Sequence, residues 1–233
     1  MKTTMYRNIL IVFLFAMAMG FLEAIVVVYI RELYYPEGFD FPLKLIPENI
    51  FAIELVRELS TLIMLVSIGL LAGKTRLDKF AWFLFTFGVW DIFYYVALKI
   101  FLDWPESLLT WDILFLIPLT WIGPVLAPVL VSLTMIGFAL AVFFPNCPDV
   151  MVKPLSWLAI FGGALLIFAS FILDYTMLLI QEGGKRILDP GFVEAVTTYI
   201  PDRFYWGLFI LGEVLIIVGI GMYIWKKKKR ISS

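Results

Sequence analysis

Glu54, Arg57, Glu58 and Thr61 recur at i, i+3, i+4 and i+7, the spacing that places side chains on one face of an α-helix. Asp91, Tyr95 and Lys99 follow further along at intervals of four, and two such faces would pair well. Paired carboxylates can share a proton, work as acid and base, or grip a hard cation, while a guanidinium can hold an anionic group through two parallel hydrogen bonds. The candidate ligand-binding residues are therefore Glu23, Glu54, Arg57, Glu58, Asp91, Tyr95, Lys99 and Asp112. Glu54, Glu58 and Asp91 are the candidates for a metal, and no residue is singled out as catalytic.

These groups sit in an unusual chain. Of 233 residues, 62% are hydrophobic and only 16% charged, and the mean hydropathy is +0.97. A soluble domain is nearer half apolar and a quarter charged. The composition excludes a disordered chain, a disulfide scaffold, a soluble dinucleotide-binding enzyme and a nucleic-acid binder, and it predicts an all-α polytopic integral membrane protein of one domain. A helix needs about twenty apolar residues to cross the hydrocarbon core. Six segments qualify, at 9–30, 50–72, 80–102, 125–144, 154–173 and 206–225.

The absent residues narrow the chemistry further. There is no histidine, and Cys147 is the single cysteine. A His-ligated haem or zinc, a Ser-His-Asp triad, an internal disulfide and a C-x-x-C redox pair are all excluded. A bound metal would have to be a hard divalent cation held by oxygen ligands.

Lys and Arg bias a loop to remain in the cytoplasm. Lys2 and Arg7, Lys74, Arg76 and Lys79, Lys153, and Lys226 to Lys229 with Arg230 fall on one side of the six spans, against Arg31, Lys44, Lys185, Arg186 and Arg203 on the other. Both termini are therefore expected in the cytoplasm, in a multi-pass protein of the cell (inner) membrane. The stretch 108–123, LLTWDILFLIPLTWIG, is short and carries Asp112 and Pro118. Counting it as a seventh span would put the KKKKR tail outside, so it reads as a re-entrant or interfacial half-helix on the extracytoplasmic side, with Asp112 a possible cap. Asp189 and Pro190 mark the start of a short outer surface helix over 190–199.

Within this topology only Asp78 and Asp149 among the 19 acids are cytoplasmic, whereas Glu23, Glu54, Glu58, Asp91 and Glu213 lie inside spans. At 1.5 Å per residue, Glu54 and Glu58 sit roughly 6 and 12 Å below the outer end of the second span, Glu23 and Glu213 about 10 Å below theirs, and Asp91 near mid-membrane. A charge at mid-bilayer costs ~3 kcal/mol on insertion scales, so the five acids and Arg57 must face the protein interior or water. Ala16, Gly20 and Ala24 form a small-residue stripe that lets another helix approach near Glu23.

The plain reading is a set of packing staples, with Arg57 forked onto Glu54, Glu58 or Asp91 and Glu213 a protonated acid bonded inside the bundle. Against it, five acids meet only Arg57 and Lys99. The functional reading is an outward-opening, carboxylate-rich cavity for a cation or for the polar head of an amphiphilic or lipid-linked ligand. A structural or accessory subunit, partnered by other membrane proteins or by a second copy, and a proton- or cation-coupled transporter are the alternatives. The Glu54 to Glu58 spacing resembles the E-x-x-x-E element of polyprenyl-diphosphate phosphatases, and E-x-x-R-E is similar to the E-E-x-x-x-R element of membrane-embedded prenyl-protein proteases. The serine-arginine phosphate loop of the first and the histidines of the second are missing from this chain, so neither family is assigned.

Overall fold

A computed structural model of the chain describes residues 2–44, 46–143, 153–181, 194 and 197–229. Among the described residues, six helices are long and apolar enough to cross a membrane. They are α1 (Lys2–Tyr34), α2 (Glu48–Ala72), α3 (Arg76–Leu102), α4 (Leu126–Phe143), α5 (Pro154–Gln181) and α6 (Trp206–Lys229). Each expected span corresponds to one helix, and α1 runs on past residue 30, taking Arg31 into the helix instead of a loop.

The helix ends follow local rules. Thr75 and Asp78 form a capping box at the start of α3, the Asp78 amide donating to the Thr75 hydroxyl at 3.2 Å and the Thr75 amide to the Asp78 carboxylate at 3.3 Å. At the other end Asp103 takes a left-handed conformation with φ of 50°, and the Lys99 ammonium donates to the carbonyls of Asp103 and Pro105 at 3.0 and 3.2 Å. The carbonyls at a helix C-terminus lack intrahelical donors, and the Lys99 ammonium supplies one here.

The stretch 108–123 is not a half-helix, and the fold is not purely α. It forms an antiparallel hairpin of β1 (Trp111–Phe115) and β2 (Trp121–Pro124), pairing Trp111 with Pro124, Asp112 with Gly123, Ile113 with Ile122 and Phe115 with Trp121. The residues explain the difference. Pro118 cannot donate a helical hydrogen bond, and the flanking WDILF and WIG runs are β-branched and aromatic. A hairpin pairs its own backbone, which allows non-helical chain to lie within a protein-lined, apolar setting. The Trp121 indole donates to the Ile117 carbonyl across the turn at 3.1 Å. Of the outer helix expected over 190–199, positions 190–193, 195 and 196 lie outside the described residues; Glu194 and Thr198 are joined by a backbone bond of 2.9 Å.

The bundle is organised around α3, which carries α1, α2 and α4 on its sides, while α5 and α6 form a second closely packed pair. Two close approaches fix this arrangement. A Cβ at Gly20 of α1 would sit 2.6 Å from the Trp90 carbonyl oxygen of α3, and one at Gly212 of α6 would sit 2.7 Å from that of Gly163 in α5. Only glycine lets these backbones meet. Aromatic rings fill the core beside α3, with Trp82 and Phe143 centroids 4.2 Å apart.

Candidate functional site

α2 packs closely on α3 at the end that carries Gly69. At that end a Cβ on Gly69 would fall 2.7 Å from the Lys79 carbonyl oxygen. Toward the other end the hairpin turn lies against α2, and the Leu116 amide donates to both oxygens of Glu58 at 3.1 and 3.0 Å. Between α1, α2, α3 and the hairpin this leaves a cavity of 410 Å³. Its walls join apolar side chains such as Val27, Ile30, Phe51 and Ile113 to a dense set of polar ones.

Seven of the eight candidates line this one space: Glu23, Glu54, Arg57, Glu58, Asp91, Tyr95 and Asp112. Lys99 does not. It is half exposed, capping the end of α3 and pairing with the Asp103 carboxylate at 2.7 Å, so the stripe it shares with Asp91 and Tyr95 divides at that point. Glu213 also lies elsewhere, accepting a bond of 2.8 Å from the Thr134 hydroxyl between α6 and α4.

Arg57 is the hub of the α1–α2 side. Its Nε and Nη2 atoms each lie 2.8 Å from one Glu54 oxygen, and its Nη1 pairs with Glu23. Thr61 donates to the second Glu23 oxygen at 3.0 Å. The expected fork is present, with Glu54 and Glu23 as its acids. Asp91 is buried and accepts from the Ser132 hydroxyl of α4 at 2.8 Å.

A second hub, Arg31, was placed in a loop by sequence reasoning. It is 6% exposed, and its Nη2 donates to Asp112 at 2.9 Å while its guanidinium carbon stacks 3.8 Å above Trp104 and 4.2 Å from Phe39. Asp112, 1% exposed, is no helix cap: its second oxygen accepts from the Tyr95 hydroxyl at 3.2 Å. Burial pushes the Asp112 carboxyl up to about 6, against the opposing pull of Arg31. Tyr35, in the loop after α1, accepts from the Lys44 amide at 2.8 Å, and burial raises its phenol above the usual value. Glu23, Val27, Arg31 and Tyr35 stand at intervals of four and all line the cavity; extending the α1 stripe past Ile30 is the signal that would have found Arg31. Trp90, Tyr94 and Thr120, also lining residues, carried no such signal.

Among the described residues no group of three or more acidic side chains is placed to hold a metal ion. Glu54 is committed to Arg57, Glu58 to the Leu116 amide and Asp91 to Ser132, so the three metal candidates share a cavity without converging on a point. Compared with family models, curated proteins and solved structures, the chain matches none.

Proposed function

We propose that this membrane protein binds the polar head of an amphiphilic or lipid-linked ligand in the cavity between α1, α2, α3 and the hairpin, facing the extracytoplasmic side of the cell membrane. One observation carries the reading: seven polar residues from three helices and the hairpin line one 410 Å³ space that also has apolar walls. That volume suits a small molecule or a head group, since ligand sites run from about 300 to 1,000 Å³ and combine apolar lining with a few placed polar groups. A bare cation would need far less room and a tighter set of oxygens. The sidedness is supported by the bias of Lys and Arg toward the opposite end of the bundle.

A structural or accessory role in a larger membrane assembly is the second reading, favoured by the pairing of Arg57 with both Glu54 and Glu23. Transport drew its support from a broken helix through Pro118 to Pro128; a hairpin followed by a continuous α4 occupies that stretch, which removes that support.

The test is native mass spectrometry of the protein purified in a neutral maltoside detergent. Retained lipid or amphiphile is expected on the wild type and on Glu213→Gln, and its loss on Asp91→Asn and Glu54→Gln. Equal retention by all four proteins, each with an intact thermal transition, overturns the cavity as the binding site.

A further inference from the structure

The two arginines leave the cavity unbalanced. Arg31 offsets Asp112, and Arg57 is shared by Glu23 and Glu54. Lys44 and Glu48, both exposed lining residues, are of opposite sign. Glu58 and Asp91 have hydrogen bonds from neutral donors and no ion pair among the described residues. The site thus holds more carboxyl groups than basic ones, within walls that include the rings of Tyr35, Phe39, Tyr94 and Tyr95. Carboxylates combined with electron-rich ring faces are the recognition chemistry of an organic ammonium.

A different observation adds a second requirement. Trp90 is 4% exposed and lines the cavity, yet among the described residues its indole Nε1 has no acceptor, and neither has Nη1 of Arg31. Both are buried donors, and a buried donor without a partner is costly. Ligand oxygens would satisfy them.

Resting on the proposed cavity, we infer that its ligand is a zwitterionic amphiphile, whose ammonium sits against Glu58 and Asp91 and whose oxygens accept from Trp90 and Arg31. The phosphate ester of an amino alcohol bearing a lipid tail has this chemistry; an anionic phosphate amphiphile and a bare metal ion do not.

Three amphiphiles of equal tail length separate the parts: dodecylphosphocholine carries both charges, dodecylamine the ammonium alone and dodecyl phosphate the oxygens alone. Their binding to the full chain in neutral maltoside micelles is read by native mass spectrometry. Dodecylphosphocholine is expected to bind tightest, dodecylamine next and dodecyl phosphate least. Asp91→Asn should weaken the first two about tenfold, the effect of one lost charge-assisted contact, while Glu213→Gln changes nothing. Trp90→Phe should weaken dodecylphosphocholine and spare dodecylamine. Dodecyl phosphate binding as well as dodecylamine, with sensitivity to Arg57→Gln, overturns the zwitterion and leaves the cavity reading standing. An unchanged dodecylphosphocholine affinity in Trp90→Phe overturns the donor half. If none of the three binds, both the inference and the reading beneath it fail.

Discussion

Removing Arg31 should harm the protein more than removing any exposed charge. Its guanidinium is bonded to Asp112 at 2.9 Å, with side-chain exposures of 7% and 1%, and lies against the Trp104 and Phe39 rings. Arg31→Gln leaves a buried carboxylate with the Tyr95 hydroxyl as its remaining side-chain donor. Breaking such a pair from one side costs about 3–5 kcal/mol, which for a chain of this length lowers the thermal midpoint by on the order of 10 °C. Replacing both partners, as Arg31→Met with Asp112→Leu, removes the orphaned charge and leaves the buried Tyr95 hydroxyl without its acceptor, a loss of about 1–3 kcal/mol. The double variant should therefore be the more stable of the two. Acidity supplies a further check. Because the Asp112 carboxyl is held at about 6, the folded protein binds that proton more tightly than the unfolded chain. Its contribution to stability therefore falls as pH rises from the ordinary carboxylate range through 6 and is level above that. Loss of Arg31 shifts this window upward, so the penalty of Arg31→Gln should be larger at pH 8 than at pH 5. Thermal unfolding in detergent, followed by circular dichroism, measures all of this. A double variant less stable than the single, or a penalty that shrinks toward alkaline pH, refutes the reasoning.

Glu58→Ala frees the Leu116 amide that both its oxygens accept, a loss of about 1–3 kcal/mol; hydrogen exchange over 111–124 should quicken, with the α5–α6 pair unaffected. Gly212→Leu forces side-chain atoms toward the Gly163 carbonyl of α5 and should destabilise by roughly 1–3 kcal/mol or more, seen as a lowered midpoint with α1–α3 exchange unchanged. For sidedness, single cysteines at Glu106 and Lys74 in a Cys147→Ser background should react oppositely with a membrane-impermeant maleimide added to intact cells, Glu106→Cys labelling and Lys74→Cys remaining protected until lysis.

Much of the helical scaffold was legible because lipid imposes a simple length and composition rule. Each of the six apolar runs became one helix, and the acids within those helices, too costly to face hydrocarbon, line one cavity, apart from Glu213. The 108–123 segment escaped the same rule. Apolarity is common to buried helices and buried strands, and periodicity does not separate them in a short run; Pro118 and the β-branched and aromatic flanks were the available signs. Arg31 was missed for a related reason. It stands directly after Ile30, where the apolar run ends, and that suggested a loop, whereas a long arginine at a helix end can fold back onto aromatic rings and a buried acid. Lys99 shared a stripe with Asp91 and Tyr95, but a stripe on a helix extends beyond any one cavity, and two turns from Asp91 it meets the carbonyls of the α3 terminus instead.

The hairpin links these observations causally. A half-helix in its place would have turned its own amide groups inward upon itself, leaving Glu58 without the Leu116 donor. The irregularity between Ile113 and Phe115 interrupts the strand pairing just before the turn, and the Leu116 amide two positions on from Leu114 is then available to a carboxylate of α2. Asp112, on the same strand, is spent on Arg31 of α1 and Tyr95 of α3. The first strand and the turn residue after it therefore fasten three helices through two acids. The cavity that the hairpin borders with α1, α2 and α3 is where Asp91 lacks an ion pair and the Trp90 indole lacks an acceptor among the described residues. Stability of the hairpin and ligand binding should accordingly fall together when Glu58 is changed, and separately when Trp90 is.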